Sequence, residues 1–168
     1  SFNKVLQFQV LFVVKWILIC SLVGILSGSA SAIFLLLLDL VTNWREENLW
    51  IITLLPLGGF LVGAIYHYLG ESVLKGNNLL LEELHEPKDI IPLKMFPLIL
   101  ICTLITHLFG GSAGREGTAI QMGGSIADQF TKLFKLTKND RKILIITGIS
   151  AGFASIFGTP LAGTIFGL

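Results

Sequence analysis

An arginine and a glutamate stand side by side at Arg115 and Glu116, in a segment where four of the eight residues from Gly110 to Gly117 are glycine. The flanking stretches are strongly apolar, and a charge in membrane-like surroundings costs roughly 2.5–3.5 kcal/mol on insertion scales. Glycines let the backbone take positive φ and approach a ligand. The segment leads into a helix, whose start leaves about four backbone N–H groups unpaired and partly positive. Away from water these groups need a partner, and an anion is a natural one. The carboxylate of Glu116 fits the same place when no anion does, so this residue could serve as both plug and proton carrier. Adjacent helical residues point about 100° apart. Arg115 and Glu116 are therefore expected to act separately rather than as a structural ion pair.

A second polar break lies at Gly76-Asn77-Asn78. Gly permits the turn and Asn is a favourable N-cap. Alone, this would read as a capped helix start at a membrane surface. Beside the first break it gains meaning, because broken helices whose N-termini meet near mid-membrane are how transporters build anion sites. The anion-binding candidates are thus Gly76, Asn77, Asn78, Gly114, Arg115, Gly117 and Thr118, with Glu116 as gate. A rival chemistry is an intramembrane serine hydrolase, since Gly110 to Gly114 fits G-x-S-x-G around Ser112. No strand precedes Ser112, and no acid is obviously placed to orient His107, so the match reads as chance in a glycine-rich chain. A purely structural membrane subunit is the third class, and it predicts no ion flux. Cys20 and Cys102 lie in apolar runs without metal-ligand spacing, so neither a metal nor a cofactor is expected.

These residues must be positioned by membrane elements. Of 168 residues, 53% are hydrophobic before glycine is counted and 14% are charged, against about 25% charged in a typical soluble domain. Mean hydropathy is +0.79. A soluble globule and a disordered chain are both excluded, and a net charge of +1 implies no nucleic-acid partner. From Val10 to Leu40 the only charges are Lys15 and Asp39, which predicts one long tilted helix ending at Arg45-Glu46-Glu47. Leu49–Leu69 predicts a second span, closed by the interfacial trio Tyr66-His67-Tyr68. A short amphipathic helix, Leu79 to Leu84, follows the Asn pair. Pro92 restarts a helix that runs to Phe109. Thr118 to about Phe130 forms another. Lys132 to Lys142 reads as a solvated basic connector. Ile143 to Leu168 is apolar and broken at Gly158-Thr159-Pro160. The pairs Gly24/Gly28, Gly59/Gly63, Gly148/Gly152 and Gly163/Gly167 are each four apart, a spacing that lets helix backbones approach in lipid. The apolar ending at Gly167-Leu168 suggests the front part of a longer protein, with residues 1–168 forming one transmembrane domain.

Gly114-Arg115-Glu116-Gly117-Thr118, continuing Ala119-Ile120-Gln121-Met122-Gly123-Gly124, resembles the GREGP motif of the CLC family of chloride channels and proton-coupled anion antiporters. Phe157 to Gly163 is similar to that family's NAPLAG segment, and residues 8 to 46 to its long tilted second helix. The resemblance implies an all-α integral membrane fold, the first half of an inverted-repeat architecture with broken, re-entrant helices. It further implies a homodimer of the full-length chain, with one pore per subunit, in a bacterial inner membrane. By the same resemblance Glu116 is the external gating glutamate, and the N–H groups around Arg115, Gly117 and Thr118 form the outer anion site. Gly76-Asn77-Asn78 matches the family's GSGIP segment, with Asn77 in place of the central serine; Thr118 replaces the proline of GREGP. Both departures resemble the fluoride-exporting branch. The activity implied is proton-coupled antiport, with fluoride ahead of chloride and a passive chloride channel as the alternative.

Overall fold

The computed structural model describes residues 2–168, and every element among them is helical. Helix α1 (Phe2–Glu47) is unbroken, and at 1.5 Å per residue its length exceeds the ~30 Å hydrocarbon core about twofold. One stripe of it is buried: Ile19, Val23, Ser27, Ala30, Ser31, Phe34 and Leu38. Their three- and four-residue steps put them on a single face. The other faces carry exposed Leu11, Ile17, Leu18, Ile25, Leu36 and Leu40, as a lipid-facing helix should. The single long helix expected over this region is present.

The second apolar span opens as a 3-10 turn, Leu49–Leu54, and becomes α-helical in α2 (Leu55–Leu69). Pro56 sits in the first turn of α2, where its missing N–H would have no partner anyway. Gly58 is buried because a side chain there would run into the ring of Phe109, at 2.6 Å. Helix α3 (Asn77–His85) is nine residues long, too short to cross a bilayer. Helix α4 (Met95–Leu108) begins three residues after Pro92, later than expected. Met95 N–H bonds back to Pro92 O and Phe96 N–H to Leu93 O, so turns occupy the intervening residues.

Helix α5 (Arg115–Leu133) starts earlier than the sequence suggested, at Arg115 rather than Thr118. Helix α6 (Lys138–Phe157) also starts early and corrects the reading of Lys132 to Lys142 as a solvated connector. Thr137 caps Asp140 N–H and Asp140 returns a bond to Thr137 N–H, so a capping box pulls Lys138 to Lys142 into the helix. Gly158 ends α6 at φ +64° and Pro160 opens α7 (Pro160–Phe166), the break that Gly158-Thr159-Pro160 predicted.

Two of the four glycine pairs act as close-packing sites. A side chain at Gly148 would meet the Gly123 carbonyl, and one at Gly152 the Ala119 carbonyl, so α5 and α6 touch backbone to backbone. Gly163 and Gly167 lie against Ala154 and Ser150 of α6 in the same way. For Gly24/Gly28 and Gly59/Gly63 the expectation fails: no described atom lies within 4 Å of where their side chains would be. Spacing alone does not supply a neighbouring helix, and these faces have none among the described residues.

Candidate anion site

The start of α5 is uncapped. Gly114 stands at the N-cap in extended geometry (φ −72°, ψ 130°) without a side-chain bond. The N–H groups of Arg115, Glu116 and Gly117 have no hydrogen-bond partner among the described residues. They carry the partial positive charge of a helix N-terminus. Glu116 is exposed and takes part in no hydrogen bond or ion pair among the described residues. Its Oε2 curls back over the helix start, 3.3 Å from where a side chain on Gly114 would begin. Glycine at 114 is what leaves that path open to the carboxylate.

Helix α3 brings its own start to the same place. Gly76, at φ +54°, turns the chain into α3 in a conformation that L side chains rarely adopt. The Asn77 N–H has no backbone partner, whereas those of Asn78 and Leu79 bond to Lys75 O and Gly76 O. Asn77 Nδ2 lies 3.5 Å from where a side chain on Gly117 would sit. Gly76, Asn77, Gly114, Glu116 and Gly117 are therefore gathered at one locus, although Gly76 and Glu116 are forty residues apart in the chain.

The remaining candidates face elsewhere. Asn78 turns away and lines a cleft with Leu81, Glu82, His85 and Lys88. The Arg115 side chain faces α1, where it shares a cleft with Asp39 and Thr42. It forms no ion pair with Glu116, as the angular argument required. The Thr118 hydroxyl, 2% exposed, donates to Gly114 O at 3.1 Å and lies 2.9 Å from the Thr103 hydroxyl, tying α5 to α4. The Thr118 side chain thus ties the Gly114 carbonyl to α4 and does not face the locus. Ser112 makes no hydrogen bond to His107 or to any other side chain among the described residues, and His107 Nδ1 is engaged with the Thr103 carbonyl at 2.9 Å, four residues back in α4.

Two features escaped the sequence reading. The first is a buried charge cluster. Arg141 of α6 bonds Asp128 of α5 through Nε and Nη2, both at 2.7 Å, and Glu83 of α3 through Nη1 at 2.9 Å. The guanidinium also donates to the Asp89 carbonyl at 2.6 Å. The excess acid is matched by backbone donors: Lys88 and Asp89 N–H to Glu83, and Ile91 N–H to Asp128. Arg141 is 5% exposed, so it is no part of a solvated loop. The cluster pins α3 and the loop after it to α5 and α6. The second feature is Gln121, 8% exposed, one helical turn beyond Gly117 on α5.

Residues 58–168 match the family described as "Voltage gated chloride channel". The chain is 57% identical over 157 residues to the "Chloride/fluoride channel protein" of Pseudomonas syringae pv. tomato, a match covering 94% of this chain and 35% of that protein. It is 32% identical over 169 residues to the "H(+)/Cl(-) exchange transporter ClcA" of Cronobacter sakazakii, covering 89% of this chain and 35% of that one. Among solved structures, a CLC-type fluoride/proton antiporter aligns with a TM-score of 0.85 at 36% identity, covering 90% of this chain and 38% of that one. The chain spans about a third of the length of the curated relatives it matches.

Proposed function

This chain belongs to the voltage gated chloride channel family, and we propose that it supplies the gate and part of the anion site of a proton-coupled anion antiporter, with fluoride ahead of chloride. The observation that carries the reading is the meeting of two broken-helix starts, Asn77 Nδ2 beside Gly117, under a glutamate with no partner of its own. An anion held there would take the free N–H groups of α5. The Glu116 carboxylate competes for those groups when ionised and leaves them when protonated, so anion and proton exchange places at one locus. Asn77 favours fluoride because a carboxamide offers two N–H donors where a serine offers one hydroxyl. Fluoride is the more strongly hydrated ion and gains more from each donor. The family resemblance and the bacterial relatives further support residues 1–168 as one transmembrane domain within a homodimer of full-length chains, multi-pass in a bacterial inner membrane.

A passive channel is the second reading, favoured by the word "channel" in the name of the 57% identical relative. Full-length protein in liposomes separates the two. Antiport predicts that an imposed fluoride gradient drives protons uphill; a channel passes anions and leaves protons at equilibrium. Absence of any anion flux would overturn both readings in favour of a structural subunit.

A further inference from the structure

Gln121 is 8% exposed, and its carboxamide has no hydrogen-bond partner among the described residues. The amide is not sealed in, because the one fully buried side-chain polar atom without a partner among those residues is Ser27 Oγ. A free amide that can still be reached has two N–H donors to offer a ligand. Gln121 follows Gly117 by four residues on α5, so the two share a face. That face meets the start of α3 in register: Gly117 stands opposite Asn77, and Gln121 opposite Gly76. Gln121 Nε2 lies 3.4 Å, and Oε1 3.6 Å, from where a side chain on Gly76 would begin. A side chain at 76 would make ordinary contact with this amide, and the backbone at φ +54° is what favours glycine there.

We propose that Gln121 is a further anion-binding residue, whose Nε2–H₂ group donates to a halide held at the N-terminus of α3. This rests on the anion-transport reading above and deepens it. The Gln121 amide lies beside Gly76, and the next residue, Asn77, has an N–H without a backbone partner. The amide lies one helical turn along α5 from the free N–H groups beneath Glu116. The anion that leaves the Glu116 locus therefore meets a second set of donors before it passes α3. A neutral donor suits this position, since it holds an anion without trapping it as a fixed cation would.

The test is transport by full-length protein in liposomes, with initial fluoride efflux measured against fluoride concentration for the parent, Gln121→Met and Gln121→Glu. Met keeps the length and removes both donors, and the apparent fluoride KM is expected to rise about tenfold, the loss of one charge-assisted hydrogen bond, with maximal turnover within about twofold. Gln121→Glu keeps the shape and adds a negative charge, so both fluoride and chloride efflux should fall by more than tenfold. A merely structural glutamine would change the yield of folded protein and leave KM alone. An unchanged KM in a monodisperse Gln121→Met protein overturns the assignment; if that variant does not fold, unchanged efflux in Gln121→Glu does so. Failure of both to fold would show that the amide holds the α3–α5 contact, and the proposal falls. If the parent itself moves no anion, the antiport reading fails first.

Discussion

Glu83 sits in the last turn of α3 and Glu116 in the first turn of α5, in a chain that is otherwise strongly apolar, and their surroundings differ at every point. Glu83 is 7% exposed and accepts from Lys88 N–H, Asp89 N–H and the Arg141 guanidinium. Glu116 is exposed and accepts from no donor among the described residues, while N–H groups without a partner among them stand beside it. A carboxylate as fully satisfied as Glu83 has no capacity left to exchange one partner for another. A carboxylate beside unfilled donors can be drawn in or displaced by whatever competes for them. The first arrangement fixes three helices, and the second leaves a choice open. The contrast separates groups that hold the protein together from groups that act.

Breaking the satisfied region should give the largest effect. Arg141→Met removes the only cation in contact with Glu83 and Asp128 among the described residues, leaving two buried acids to be neutralised. Loss of one member of a buried ionic group typically costs about 3–5 kcal/mol. The full-length protein in detergent should show a large fall in unfolding midpoint, and proteolysis should reach the loop between Glu86 and Lys94 first. A loss under about 1 kcal/mol would mean that the cluster is not what pins α3. Replacing all three charges together with apolar residues should cost less than Arg141→Met alone, because no charge is then stranded.

The glycines offer a second contrast of the same kind, with a smaller effect. A methyl group at Gly148 would strike the Gly123 carbonyl and the Ala127 side chain, whereas one at Gly24 would meet nothing within 4 Å. Gly148→Ala should destabilise by about 1–3 kcal/mol through forced separation of α5 and α6. Gly24→Ala should lie within about 0.5 kcal/mol of the parent. Equal effects from the two would mean that α1 has a close neighbour at Gly24 in the assembled protein.

The sequence disclosed one of these regions and concealed the other, for a physical reason. The candidate anion locus was legible because its signals are local: glycines beside a charge at Gly114 to Gly117, and Gly76 before an asparagine. The long helix α1 was legible from an uninterrupted apolar run, and the α6–α7 break from Gly158-Thr159-Pro160. Arg141 was not, since its partners lie 13 and 58 residues away and it stands among Lys138, Asp140 and Lys142, which look like a solvated loop. A local sign did exist, the Thr137-x-x-Asp140 spacing of a capping box, which would have moved the helix start. The glycine pairs show the converse limit. All four have the same spacing, and only those facing a helix among the described residues pack closely.

Within the open region the effects shrink further and become matters of preference. Asn77→Ser removes donors beside Gly117 and keeps a residue that is also favourable at a helix start. A charge-assisted bond is worth roughly 1.5–3 kcal/mol, of which much is common to both halides. The fluoride-to-chloride transport ratio should therefore fall by about 1 kcal/mol, or several-fold. An unchanged ratio in the same lipid would make Asn77 a turn residue and move selectivity elsewhere.

The smallest effect on stability should come from the residue proposed as the gate. Glu116 makes no hydrogen bond and no ion pair among the described residues, and it is exposed in this chain, so Glu116→Gln removes no stabilising contact. Its unfolding midpoint should match the parent within about 0.5 kcal/mol. The amide keeps the size of the carboxyl but cannot ionise, so it can neither compete as an anion for the α5 N–H groups nor carry a proton away from them. Anion movement should continue while an anion gradient no longer drives protons uphill. Glu83→Gln should give the opposite pattern, because it weakens the bonds to Arg141 and the loop without touching the locus: lower stability, with coupling retained in the protein that folds. If Glu116→Gln still moves protons against their gradient, the division between a holding glutamate and an acting one is wrong at its centre.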